Sequence, residues 1–89
     1  MRLSLIVPCF NEQDNIFPFA RAVAEVFPDP SAYEIVFVND GSKDKTLQNL
    51  KELHRQSQQN IRVVSFSRNF GKESAIYAGL QHCDGEYIS

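Results

Sequence analysis

Glu34-Ile35-Val36-Phe37-Val38-Asn39-Asp40-Gly41-Ser42 decides the fold. Five residues dominated by β-branched and aromatic side chains run straight into a polar turn, which is the pattern of a short strand apolar on both faces. Such a strand suits the interior of a parallel sheet. Gly41 supplies the positive φ that a sharp exit from a strand often needs. Reading outward, Asp44 is the expected N-cap of a helix whose apolar face carries Leu47, Leu50, Leu53 and His54. Asn60 then turns the chain into a third strand over residues 62–67.

Toward the N-terminus, Pro28-Asp29-Pro30-Ser31 breaks the preceding element, because proline lacks an amide hydrogen and disfavours a helical predecessor. Before it, Ile16, Phe19, Ala20, Val23 and Phe27 recur at helical spacing, with Asn11 expected as N-cap and Asp14 in the capping-box position. The first apolar run, Leu3 to Val7, is a strand that Pro8 should stop. Beyond the third strand, a helix from about Lys72 should bury Ile76, Gly79, Leu80 and Cys83. Asp84-Gly85 then turns into a fourth strand at Glu86-Tyr87-Ile88. Alternating strands and helices with connections of this length give βαβ units, hence an α/β, doubly wound parallel sheet. That order sets strand one beside strand four and leaves a sheet edge thinly covered, so a homodimer through this edge is expected.

Composition narrows the class. With 89 residues, 43% hydrophobic and 22% charged, the chain reads as one folding unit spanning residues 1–89, with a modest core. A net charge of -2 with mixed signs gives no basic footprint for nucleic acid. Cys9 and Cys83 form no CxxC pair, so they read as free thiols. No apolar run approaches the roughly 20 residues of a membrane span, and no signal-peptide pattern opens the chain, which points to a cytoplasmic location.

Ligands of an open parallel sheet bind beyond the carboxyl ends of its strands. The residues there are Pro8, Asn11 and Glu12 after strand one, Asn39, Asp40, Gly41, Ser42 and Asp44 after strand two, and Arg68, Asn69, Gly71 and Lys72 after strand three. A Walker A loop ending at Gly71-Lys72 would need glycine where Phe66 stands and serine or threonine where Glu73 stands, and no GxGxxG follows any strand. A receiver-type site would want adjacent acids after strand one, where Glu12 stands alone. Asp40 is an acceptor-only group suited to a ring N–H of uracil or guanine. Arg68 and Lys72, one strand over and near a helix start, suit a diphosphate. Asn-Asp-Gly-Ser is also ordinary turn chemistry, and Glu12, Ser42 and Asp44 read equally as helix-start residues or ligand contacts. Histidines 54 and 82 and Cys9 carry no expected chemistry.

Three ordered segments, Val7-Pro8-Cys9-Phe10-Asn11-Glu12, residues 38–46 from Val38 to Thr46, and Ser67-Arg68-Asn69-Phe70-Gly71-Lys72-Glu73, resemble the signatures of glycosyltransferase family 2. With Ala78-Gly79-Leu80 and Asp84-Gly85-Glu86, the third resembles the branch that moves a sugar from a nucleotide onto a polyisoprenyl phosphate. The resemblance implies a three-layer, Rossmann-like parallel sheet forming the N-terminal, nucleotide-sugar-binding half of a GT-A fold. In it Asp40 meets the base, Pro8 and Glu12 line the cleft, and Arg68 and Lys72 lie near the ribose or diphosphate. It implies a nucleotide diphosphate sugar, UDP-linked by preference, as donor and a polyisoprenyl phosphate as acceptor. It also implies an intact protein at the cytoplasmic face of the membrane, and Mg2+ or Mn2+ held by an Asp-x-Asp motif that the family carries beyond its fourth strand. The 89 residues stop before such a motif, so the chain alone is expected to be inactive, with no catalytic or metal-binding residue of its own. The alternative is a non-catalytic nucleotide-binding or interaction module of the same fold.

Overall fold

The computed structural model describes residues 3–83 and, as backbone, 86–88. Four strands, β1 (Leu3–Cys9), β2 (Tyr33–Asp40), β3 (Ile61–Phe66) and β4 (Glu86–Ile88), form one sheet in the order β3-β2-β1-β4. All three pairings are parallel. The chain runs outward from β1 to β2 and β3, then returns to the far side of β1. Because parallel crossovers keep one hand, reversing direction along the sheet moves the helix to the other face. Accordingly α1 (Ile16–Val26) and α2 (Thr46–Gln56) share one core with the odd residues of β2, namely Tyr33, Ile35 and Phe37. The third helix, α3 (Lys72–His82), packs on the other face through Ala75 against Ile6, Val36 and Val38. The expected three-layer α/β arrangement, with strand one beside strand four, is the one observed.

Every residue of β2 is buried, as a strand covered on both faces should be. Phe37, packed edge-on against Phe19 of α1, contributes roughly 2 kcal/mol by leaving water. On the α3 face, buried Glu34 accepts from Ser4 Oγ at 2.5 Å and pairs with Arg62 Nε at 3.1 Å. The Arg62 guanidinium also donates to the His82 carbonyl, tying the end of α3 to the sheet.

Several expected boundaries move. Pro8 does not stop β1, which continues to Cys9 in register with Val38 and Asn39. Pairing with β2 carries the strand through Pro8, whose ring removes one N–H from the ladder. Asn39 and Asp40 are not turn residues: they pair with Ser65 and Phe66 and are buried at the end of β2. The third strand is displaced one residue from the expected 62–67. Asn11 does not cap α1, which begins four residues later than that cap predicts. His54 is exposed rather than on the inner face of α2, and α3 buries Ala75 and Gly79, with Ile76, Leu80 and Cys83 half-buried. The expected turn at residues 84–85 lies outside the described residues. No helix among the described residues is long and apolar enough to cross a membrane.

Candidate functional site

The carboxyl ends of β1, β2 and β3 open into one cleft of about 400 Å³. Pro8, Phe10 and Glu12 form its first wall, and Asp40, Asn69 and Lys72 its second. It lies beside the point where the strand order reverses, the position at which open α/β sheets take ligands. A second hollow of about 210 Å³ between β1 and α1 shares Pro8, Cys9 and Glu12 with it. The hollow between Phe66, Phe70 and Tyr77 is larger, about 530 Å³, but includes neither Asp40 nor any residue of the β1–α1 loop.

Asp40 is buried to 3% and anchors the second wall. One carboxylate oxygen accepts the Phe70 N–H at 2.8 Å and the other the Gly71 N–H at 3.0 Å. The Asn69 side-chain amide donates to the Asp40 carbonyl. Gly41 follows with φ +71°, and a Cβ there would lie 2.1 Å from the main-chain carbonyl carbon of Arg68. The β2 turn and the β3–α3 loop are therefore in direct backbone contact, which only glycine permits.

The first wall is laced to the β2–α2 connection. Asn11, at φ 53°, accepts the Lys43 N–H through Oδ1 and donates its own N–H to Ser42 Oγ. Glu12 N–H donates to Thr46 Oγ1 at 2.8 Å, and Gln13 N–H donates to Asp44 Oδ2 at 3.3 Å. In return Gln13 Oε1 accepts the Lys45 N–H, and Asn49 Nδ2 donates to the Gln13 carbonyl. Burial opposes ionisation of Asp44, but hydrogen bonds from the Thr46 hydroxyl and from the Thr46 and Gln13 amides outweigh it and hold its carboxyl below the usual range. The Glu12 carboxylate is oriented by Asn15 Nδ2 at 2.6 Å.

Of the residues expected at the site, Pro8, Glu12, Asp40 and Lys72 come together on the cleft. Asn11 and Ser42 engage each other behind its first wall, and Gly41 lies beneath the Arg68–Asn69 backbone. Arg68 is not on the cleft lining: its guanidinium sits 4.7 Å from the centroid of the Phe70 ring. Sequence reasoning alone does not mark Phe10, which is 45% exposed on the cleft wall. The available signal was a large aromatic standing between a strand end and Asn11-Glu12, where a solvated loop would carry a polar residue. Cys9, beside it, is buried and donates to the Val7 carbonyl, and burial followed by the nearby Glu12 charge pushes its thiol up to about 12.

Glu12 and Asp40 are the carboxylates on the cleft lining, and the carboxylate of Asp40 is engaged by two amides. Among the described residues no group of three or more His, Cys, Asp or Glu could hold a metal ion. The donor set on these strand ends does not fit a divalent cation.

A parallel sheet with helices on both faces and a mixed-charge cleft at its reversal point defines an open α/β domain whose ligand site lies at its strand ends. The model of glycosyl transferase family 2 matches residues 4–89, and the chain belongs to this family. It is 45% identical over 99% of its length to an uncharacterized glycosyltransferase of Synechocystis. It is 47% identical, again over 99%, to a prophage bactoprenol glucosyl transferase homolog of Escherichia coli. The chain spans 28% and 29% of those two relatives. Among solved structures it is similar to S. aureus TarS in complex with UDP-GlcNAc, with TM-score 0.84 and 27% identity over 99% of this chain and 26% of that one. The GT-A fold expected from the sequence is the fold of this neighbour.

Proposed function

We propose that this chain is the nucleotide-sugar-binding part of an inverting glycosyltransferase that moves a hexose from a UDP-sugar to a polyisoprenyl phosphate. The observation that carries the reading is the buried Asp40 carboxylate, fixed by two amides at the wall of a cleft whose opposite wall is the exposed Phe10 ring. A carboxylate accepts but never donates, so it suits a base with a ring N–H, and an exposed aromatic face suits stacking on that base. Lys72, in the first turn of α3, supplies a cation at a helix N-terminus on the same cleft, where a diphosphate would be favoured. Pro8 and Glu12 complete the pocket, Asn11, Gly41 and Ser42 shape it from behind, and Arg68, stacked on Phe70 beside the Asp40-bound amide, would have to leave that ring to reach a diphosphate.

The names of the relatives support a lipid phosphate acceptor, and the UDP-GlcNAc complex of the structural neighbour supports uridine. In the whole protein, an oxygen of the lipid phosphate forms the new bond to the anomeric carbon while the bond from that carbon to the nucleotide diphosphate breaks, inverting the centre. A phosphate monoester is already anionic at neutral pH, so this attack places little demand on a general base. Family membership implies a divalent metal, Mg2+ or Mn2+, for the whole enzyme, and the residues described here contribute none of its ligands in this reading. The reading puts the whole protein at the cytoplasmic face of a membrane, where a nucleotide sugar meets a lipid acceptor. It also keeps a homodimer of the isolated chain as a separate proposal. A monomer in light scattering at every concentration removes the dimer.

The nucleotide reading is tested by titrating the isotope-labelled chain with UDP, GDP, ADP and N3-methyl-UDP while following the amides of Phe10, Gly41 and Gly71. The expected result is a response to UDP that exceeds those to ADP and N3-methyl-UDP, which lack a ring N–H to give. Equal responses to UDP and N3-methyl-UDP overturn base recognition by Asp40.

A further inference from the structure

We infer that Thr46 is a positioning residue for the cleft: its buried hydroxyl fixes the height of Glu12 and Phe10 through a chain of hydrogen bonds and touches no ligand itself. The inference rests on the nucleotide reading above. Thr46 is the first residue of α2 and 0% exposed, an unusual site for a hydroxyl unless both its donor and its acceptor are engaged. Both are. Thr46 Oγ1 accepts the Glu12 N–H at 2.8 Å and donates to Asp44 Oδ1, whose second oxygen accepts the Gln13 N–H. The Asp44 carboxylate also accepts the Thr46 N–H at 2.9 Å, closing the first turn of α2 around the relay.

The result is a rigid connection between the start of α2 and a loop that would otherwise have little to hold it. Residues 10–15 contribute no strand pairing, and α1 does not begin until Ile16. The amides of Asn11, Glu12 and Gln13 are satisfied by side chains 31 to 34 residues away. A chain of this kind, in which each bond polarises the next, is worth more than separate contacts. Because the cleft wall consists of Pro8, Phe10 and Glu12, a loop displaced by even a fraction of an ångström would open the pocket against a ligand held on the other side by Asp40. In this inference Asp-Lys-Thr at 44–46 acts on binding through geometry, with Asp44 as part of the relay.

The test compares Thr46→Val, which keeps the shape and removes the hydroxyl, with Thr46→Ser, which keeps the hydroxyl. Asn49→Ala is a second route to the same loop, removing the bond to the Gln13 carbonyl if the valine variant does not fold. Hydrogen exchange of the Glu12 and Gln13 amides is read without nucleotide, and UDP affinity is read by titration below the melting temperature of each variant. In Thr46→Val, exchange at Glu12 accelerates and UDP affinity falls about fivefold to tenfold, the scale of one lost buried hydrogen bond. Thr46→Ser restores both, and Asn49→Ala shows a smaller loss of the same kind. Unchanged Glu12 exchange in a folded Thr46→Val, or a serine variant as weak as the valine one, overturns the inference. Faster exchange with undiminished UDP affinity overturns it too. A wild-type chain indifferent to UDP identifies the nucleotide reading as the failure and removes the ligand-binding half of this inference with it, whatever the exchange result.

Discussion

Asp40 accepts two consecutive main-chain amides, those of Phe70 and Gly71, 30 and 31 residues away. The same carboxylate that faces the cleft therefore organises the start of α3, so the base-facing group and the cation Lys72 are positioned together. Asp40→Asn replaces one acceptor oxygen by an NH2 group that would point at an N–H. A buried donor then loses its partner, and the cost is about 2 kcal/mol. The expected outcome is a lower melting temperature, displaced Phe70 and Gly71 amide resonances before any nucleotide is added, and loss of UDP binding. A variant with wild-type stability and unmoved loop resonances would show that the two amides do not depend on the charge.

Gly41 makes the other half of that joint. A side chain there meets two obstacles at once, a φ of +71° and a Cβ position 2.1 Å from the Arg68 carbonyl carbon. Backbone cannot swing aside as a side-chain tip can, so Gly41→Ala should cost about 3 to 5 kcal/mol, a large part of the stability of a domain this size. Urea unfolding measures it, and a loss under about 1 kcal/mol would contradict the close approach.

The layered fold was legible because its signals are local. β2 announces itself by an unbroken apolar run, and the helices by the spacing of Ile16, Ala20 and Val23 or of Leu50 and Leu53. Boundaries were less legible where long-range partners override local preference. Pro8 stays in its strand because β1 keeps its register with Val38 and Asn39 of β2, and Asn39 stays in β2 because Ser65 accepts from its side chain. The site was half legible. Strand-end placement found Pro8, Glu12, Asp40 and Lys72, yet nothing local says that Asn11 and Ser42 face each other or that Arg68 lies over Phe70. Those partners come from elements brought together only in the folded state.

Two groups make the stability of the chain depend on pH in opposite directions. The thiol of Cys9 is raised from 9.0 to about 12 in the folded chain, so its contribution is complete below pH 9 and is lost as pH rises from there toward 12. Asp44 is lowered, so its contribution is present above its ordinary 3.8 and is lost as pH falls through the folded value. Native Cys9 should therefore resist alkylation by iodoacetamide at pH 8.5, since the thiolate is the nucleophile, and react once the chain is unfolded in urea. Rapid modification of Cys9 in the folded chain at that pH would mean that its burial is breached on the timescale of the reaction.

Gly79 tests how α3, and with it Lys72, is seated. Alanine in the middle of an exposed helix gains about 0.5 to 1 kcal/mol over glycine, so without tertiary contact Gly79→Ala would stabilise the chain. Here the added methyl would stand 2.3 Å from Ile6 Cγ2. A β-branched side chain in a strand has little freedom to yield, and overpacking of this kind costs about 1 to 3 kcal/mol. The clash should win, leaving Gly79→Ala about 1 to 2 kcal/mol less stable than the wild type. Ile6→Leu removes the branch at Cβ, so in the double variant the two losses should not add: Gly79→Ala should cost less on the leucine background than on the native one. Additive losses would place the origin of the effect away from the Ile6 contact. If the helix does ride outward on Ile6, the Lys72 amide should shift in Gly79→Ala and return in the double variant, linking a packing contact on one face of the sheet to the geometry of the cleft at its end.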